Sequence, residues 1–211
     1  MLTSIAFHDD TILIPYTLAF CFSGGEVLLV NRKRSPFAGH WNGLGGKIEC
    51  GESARQSIQR ELREEASMDE RALARIHYSG VVAWTSNLAT TWLGMHLFRV
   101  YLRTAAARRV QTILSDEGTL CWFPVSKIAW PLTLPAVPNL PILIPEALRK
   151  RPEPGLLLLH SEGDRYTSER FPLTQNVWPD GIISPSRVWS LGELSVPIQS
   201  TRATVALDNR R

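Results

Sequence analysis

Long apolar runs are missing from this chain. No stretch reaches the ~20 apolar residues that a membrane-spanning helix needs. The N-terminus places His8, Asp9 and Asp10 where a secretory signal would have basic and then apolar residues. Cysteine is scarce. Cys21, Cys50 and Cys121 are odd in number and widely spaced, so they suggest neither a disulfide framework nor a paired metal site. Reduced thiols in a cytoplasmic protein are the expectation. Lysine is scarcer still: 4 of the 23 basic residues are Lys and 19 are Arg, for a net charge of only +3. Arg108-Arg109 and Arg149-Lys150-Arg151 are short runs that read as solvated surface. Polynucleotide binding is therefore not expected. No internal repeat is visible, and the oligomeric state is left open.

What remains is an ordinary globular composition. The chain has 211 residues, 44% hydrophobic and 20% charged, enough for one domain with a substantial core or for one domain plus an appendage. Residues 12–23 are rich in Ile, Leu, Tyr, Phe and Thr and read as a strand. Gly24-Gly25 signals a hairpin, and residues 26–31 read as the return strand. A basic loop, residues 32–39, meets either a polyphosphate or water. Residues 76–84 and 92–102 read as strands joined by a polar turn, with His96 a sheet histidine and not a ligand. Residues 104–109 read as a turn, 119–124 as a strand and 125–129 as a short helical turn.

Five prolines from Pro131 to Pro145 break the next stretch. A helix is expected over residues 144–150, its start lying as early as Leu140. Residues 155–160 carry four consecutive leucines and read as a buried strand, with a hairpin returning along Tyr166. Beyond Phe171, polar residues and proline dominate. The expected organisation is a domain over residues 1–170 and a loosely ordered tail over 171–211.

The informative stretch runs from Gly45 to Met68. Asn42, Gly43, Leu44, Gly45, Gly46 and Lys47 form a glycine-rich entry whose backbone can approach a ligand closely. Ser53 is the expected N-cap of a helix free of Gly and Pro from Ala54 to Ala66. Ile58, Leu62 and Met68 supply a narrow apolar stripe. Glu61, Glu64 and Glu65 stand at i, i+3 and i+4, so their carboxylates share one face. Such a face is either solvated or a site for hard divalent cations, which take oxygen ligands.

The spacing of the whole stretch decides between them. From Gly46, five residues lead to Glu52, and seven more lead to Arg60-Glu61-Leu62-x-Glu64-Glu65-x-Ser67-Met68. This resembles the signature of the Nudix hydrolases, G-x5-E-x7-R-E-U-x-E-E-x-G-U, with every charged position filled. Ser67 departs from it, standing where the family has the glycine that ends the helix. The resemblance implies an α/β/α sandwich around a mixed sheet, with the motif as loop–helix–loop. It implies Mg²⁺, or Mn²⁺ in its place, held by Glu61, Glu64, Glu65 and the Gly45 carbonyl. One of the three glutamates would be the general base. Glu52 and Arg60 would form an ion pair supporting the site.

Further likenesses bear on the substrate. Ser115-Asp116-Glu117-Gly118 looks like the segment of MutT-type enzymes that delivers one more metal-binding glutamate, here Glu117. Asn42 resembles the position that reads the oxidised purine in 8-oxo-dGTP diphosphatases, and an amide offers both a donor and an acceptor. Lys47 would face phosphate, and Trp130 would stack on a base. The two aspartates that follow Trp-Pro in that subgroup are replaced by Leu132-Thr133. The expected activity is Mg²⁺-dependent hydrolysis of a nucleoside triphosphate to monophosphate and pyrophosphate. ADP-ribose, nucleotide sugars and dinucleoside polyphosphates compete as substrates. A non-catalytic nucleotide-binding module is the other class, disfavoured because no motif carboxylate is lost.

Overall fold

The computed structural model describes residues 11–84, 92–109, 113–128, 132–149, 153–162, 165–173, 188–190 and 201–206. The strands are β1 (Thr11–Ser23), β2 (Glu26–Arg32), β3 (Trp41–Asn42), β4 (Leu73–Trp84), β5 (Trp92–Leu102), β6 (Ile113–Leu114), β7 (Gly118–Pro124), β8 (Gly155–Glu162), β9 (Arg165–Pro172), β10 (Val188–Ser190) and β11 (Thr201–Ala206). The helices are α1 (Ala54–Ala66), α2 (Thr104–Arg109) and α3 (Leu140–Ala147), with a 3-10 turn at Val125–Lys127.

All eleven strands join one mixed sheet, ordered β11-β9-β8-β4-β5-β1-β2-β7-β6, with β10 beside β1 and β3 beside β2. The β1–β5 and β4–β8 pairs are parallel and the other pairs antiparallel. Strand alternation sorts β1 between two cores. Ala19 and Cys21 pack with Ile58, Leu62 and Ala66 of α1. Leu18, Phe20 and Phe22 pack with Leu140, Leu143 and Ile144 of α3. One helix thus covers each face, giving the expected α/β/α sandwich. Among the described residues, no helix is long and apolar enough to cross a membrane.

The motif helix is closed at both ends. The Ser53 hydroxyl accepts from Gln56 N at 3.2 Å and Gln56 Oε1 accepts from Ser53 N at 2.8 Å, a reciprocal cap. At the other end Ser67 has φ 52° and ψ 33°; its N–H donates to Arg63 O at 3.0 Å and the next N–H, that of Met68, to Leu62 O at 3.1 Å. Serine therefore takes the left-handed conformation that glycine takes in the motif, and the helix ends in the same place. Ile58 and Leu62 have no exposed surface. Truncating Leu62 to Ala would cost about 2–5 kcal/mol.

Four expectations are adjusted. Residues 104–109, expected as a turn, form the short helix α2, consistent with the helix-favouring run Ala105-Ala106-Ala107. Strand β4 starts at Leu73, three residues before the expected Ile76, because Leu73 pairs with Leu102 and Arg75 with Tyr101 across a register shift. Helix α3 starts at Leu140 and stops at Ala147. Within residues 171–211, β10 pairs with β1 and β11 with β9 along its whole length. Those short segments gain their order from backbone pairing with a preformed sheet, which composition does not reveal. Residues 174–187, 191–200 and 207–211 lie outside the described residues.

Candidate active site

The glycine-rich entry is laid along β1 by backbone hydrogen bonds. Thr17 N donates to Gly46 O at 2.8 Å, Ala19 N to Leu44 O at 2.7 Å and Ile48 N to Pro15 O at 2.9 Å. Two glycines make room there, Gly45 against fixed backbone and Gly46 against a side-chain carboxylate. A Cβ on Gly45, whose φ is 141°, would overlap Thr17 O, and a Cβ on Gly46 would overlap the Glu61 carboxylate. Backbone and carboxylate thus share space that no side chain can enter.

Arg60 organises the acidic face. Its Nε and Nη2 reach Glu52 Oε1 and Oε2 at 2.8 and 3.2 Å, a bidentate pair. Its Nη1 donates to Glu61 Oε1 at 2.9 Å and to Glu64 Oε2 at 3.1 Å, and Nη2 also reaches Lys47 O at 3.0 Å. One guanidinium therefore ties the entry loop to the helix. Its hydrogen bonds hold the Glu52 carboxyl below its ordinary range.

Glu65 is 5% exposed and accepts from Gly45 N at 2.9 Å. Burial pushes its carboxyl up to about 8, the Gly45 N–H opposes that rise, and the charges of Glu61 and Glu117 add to it. Burial also raises Glu61, with Arg60 opposing. Glu117 arrives from the β6–β7 turn and accepts from Arg34 Nη1 at 3.2 Å. Glu61, Glu65 and Glu117 thus act on one another electrostatically although they come from two separate segments. As placed, each is turned to a protein donor. Among the described residues no three His, Cys, Asp or Glu side chains are gathered closely enough to hold one ion.

A cavity of about 640 Å³ opens over this cluster. Its polar end is lined by Gly45, Gly46, Lys47, Glu61, Glu65 and Glu117, together with Arg32 from the basic loop. Its other end is lined by Trp84, Met95, Leu143, Leu159 and Tyr166, which belong to the core on the α3 side, and the amides of Asn42 and Asn139 also line the cavity. The Asn42 carbonyl oxygen accepts from Gly43 N at 2.8 Å, and its amide nitrogen has no partner among the described residues. Asn139 stands at the N-cap position of α3 without capping it, and its Oδ1 is buried with no hydrogen-bond partner. Asn139 lines the cavity with its other atoms, and a ligand reaches that unpaired oxygen only when the side chain turns.

Of the residues singled out from sequence, Asn42, Gly45, Lys47, Glu61, Glu65 and Glu117 meet at this cavity. Glu64 does not line it; its side chain is 59% exposed and bonded to Arg60. Glu52 and Arg60 lie behind it as an ion pair. Trp130 falls outside the described residues. His96 is buried within the sheet, with Nδ1 2.9 Å from the Tyr78 hydroxyl. Sequence reasoning missed Tyr16, Phe37 and Asn139, and the apolar wall as well. Only Asn139 left a signal, as an Asn immediately before the Leu-Pro that opens a helix.

The NUDIX domain family model matches residues 15–145. An oxidized purine nucleoside triphosphate hydrolase from Danio rerio is 34% identical over 112 residues, covering 53% of this chain and 67% of that protein. The protein of that name from Mus musculus is 32% identical over 83 residues, covering 39% of this chain and 51% of its own length, about half. A solved structure, the mutator MutT protein from Bacillus halodurans, matches with a TM-score of 0.51 at 20% identity, over 73% of this chain and 92% of that one, a likeness of fold. Leu159 and Tyr166 of the cavity lie beyond the family match.

Proposed function

The chain belongs to the NUDIX family and is a Nudix hydrolase, and from that premise we propose that it cleaves a nucleoside triphosphate to monophosphate and pyrophosphate, favouring oxidised purines such as 8-oxo-dGTP. The observation that carries this reading is the mixed lining of the cavity: carboxylates and cations, an apolar wall from the α3-side core, and two amides.

The polar end suits a hard cation in chemistry. Its donors are all oxygen, supplied by Glu61, Glu65, Glu117 and the Gly45 carbonyl. Mg²⁺ is the proposed ion, with Mn²⁺ able to replace it. When bound, such an ion neutralises phosphate charge and acidifies a water. The protein's own groups do the rest. Arg32 and Lys47 offer positive charge to the phosphates. Arg60, already occupied by Glu52, stays behind as the brace that keeps the entry loop on the helix. Burial favours the protonated form of Glu65 while the site is without metal, so metal binding draws that proton off. The base meets Asn42, which has a free N–H donor, and Asn139, whose unpaired oxygen becomes an acceptor when its side chain turns into the cavity. A base edge that pairs a donor with an acceptor satisfies both.

The test is one panel at equal Mg²⁺: oxidised and ordinary purine triphosphates, ADP-ribose, a nucleotide sugar and a dinucleoside polyphosphate. An oxidised purine triphosphate should lead in kcat/KM. If ADP-ribose or the nucleotide sugar leads, the triphosphate reading falls while the family assignment stands.

A further inference from the structure

Phe37 combines features that core packing does not account for. Its φ of 65° lies in the left-handed region, which bulky residues avoid. Phe37 is 49% exposed, yet it lines the cavity beside Arg32 and Pro36. Three large hydrophobic side chains are exposed among the described residues, Tyr16, Phe37 and Leu114, and two of them, Tyr16 and Phe37, sit on this cavity. Exposed aromatic surface gathered at a cavity marks a contact for a flat apolar ligand face.

The loop is built to keep Phe37 there. Gly39 N donates to Arg32 O at 2.7 Å, Arg32 N to His40 O at 3.1 Å and His40 N to Phe37 O at 3.0 Å. Arg32 Nε reaches Pro36 O at 3.0 Å, and Asn31 Nδ2 reaches Gly39 O at 3.1 Å. Lys33 N donates to Glu117 O at 2.9 Å, and Arg34 binds the Glu117 side chain. The His40 ring stands edge-on to the phenyl, with centroids 6.4 Å apart. These contacts over-determine the loop backbone, so the unfavourable φ persists and Phe37 is held at the cavity's edge.

We propose that Phe37 is a preformed stacking platform for the base of the nucleotide, a specificity residue contributed by the basic loop. The proposal rests on the nucleotide reading of the site and assigns the loop a contact with the base in addition to any with phosphate. Fixing the loop in advance reduces the ordering cost of binding.

The test is equilibrium binding at fixed Mg²⁺ by calorimetry. The ligands are a non-hydrolysable α,β-methylene purine triphosphate and, as a phosphate-only probe, pyrophosphate. Phe37→Ala should raise Kd for the nucleotide by between about fivefold and about a hundredfold, and Phe37→Trp should restore it. Pyrophosphate affinity should not change. Phe37→Gly relieves the backbone, so it should melt about 2–4 °C above Phe37→Ala while binding nucleotide as weakly. That result separates lost affinity from lost folding. Wild-type affinity in Phe37→Ala or Phe37→Gly overturns the proposal, as does an equal loss for pyrophosphate. A wild-type protein that binds no nucleotide sinks the substrate reading itself; nucleotide binding that survives loss of the phenyl sinks only the platform.

Discussion

The two ends of the cavity are built in different ways. The polar end comes mostly from one continuous stretch, Gly45 to Glu65, fixed by a capped helix and one arginine. The other end is assembled from β4, β5, α3, β8 and β9, whose wall residues lie as far apart in sequence as Trp84 and Tyr166. Groups that do chemistry must hold fixed distances, and a short motif holds them most simply. Groups that choose a substrate need only present a shape, which distant strands can do. Changes at the first end should therefore act on turnover, and changes at the second on choice.

The largest effect is expected from the carboxylates. Glu61→Gln and Glu65→Gln each remove a charge and little volume. Each should cut turnover at least about a hundredfold, with far-UV circular dichroism unchanged. Near-normal rates in both variants with Mg²⁺ present would refute the assignment. Arg60→Ala tests the brace. Its side chain is 18% exposed and bonds three carboxylates, so its loss should cost about 1–3 kcal/mol in urea unfolding. A stability within experimental error of wild type would show that the entry loop holds without it.

The second end should respond differently. Asn139→Ala removes the unpaired oxygen, and Asn42→Ala removes the free amide. Either should shift the ratio of kcat/KM between oxidised and ordinary purine triphosphates by about tenfold, with a smaller effect on ADP-ribose. A uniform loss across the panel would show that these amides shape the wall without reading the base. Removing residues 173–211 should lower the melting temperature, because β10 and β11 leave the sheet. Hydrolysis should continue, since among the described residues nothing beyond Tyr166 lines the cavity. Loss of activity in a truncated protein that still melts cooperatively would place a substrate contact in the removed segment.

The same contrast explains what could be read from sequence. The polar end was legible because its signals are local: the Ser53 cap, the glycines, and glutamates at helical spacing. Glu117 was legible only through resemblance, since Asp-Glu in a turn is ordinary. Asn139 was not singled out, because its significance is an oxygen left unpaired at a cavity, and no spacing encodes that. Tyr166 reads as a plain strand residue until β8 and β9 extend the sheet alongside β4. β10 and β11 are three and six residues long, and pairing to β1 and β9 gives them an order that their composition hides.

The smallest expected effect is on stability against pH, and it separates two buried groups. Burial pushes the Glu65 carboxyl from its ordinary 4.5 up to about 8. Between those values the folded protein holds a proton that the unfolded chain has released, so stability falls as pH rises. Burial pulls His96 from 6.5 down to about 4. Between those values the unfolded chain holds the extra proton, so stability rises with pH. The two slopes oppose each other below about 6.5, and only Glu65 of the pair acts between about 6.5 and 8. Glu61 is raised for the same reason and adds to the same slope. The metal-free protein should therefore lose a few degrees of melting temperature from pH 6.5 to 8, on the order of 2–4 °C per kcal/mol. Glu65→Gln should reduce that decline. Mg²⁺ should reduce it as well, because it favours the ionised carboxylates, and its stabilising effect should grow with pH. A wild-type melting temperature that is level from pH 6.5 to 8, or a decline that Glu65→Gln leaves unchanged, would show that Glu65 is ionised in the folded protein and would remove the proton release expected on metal binding.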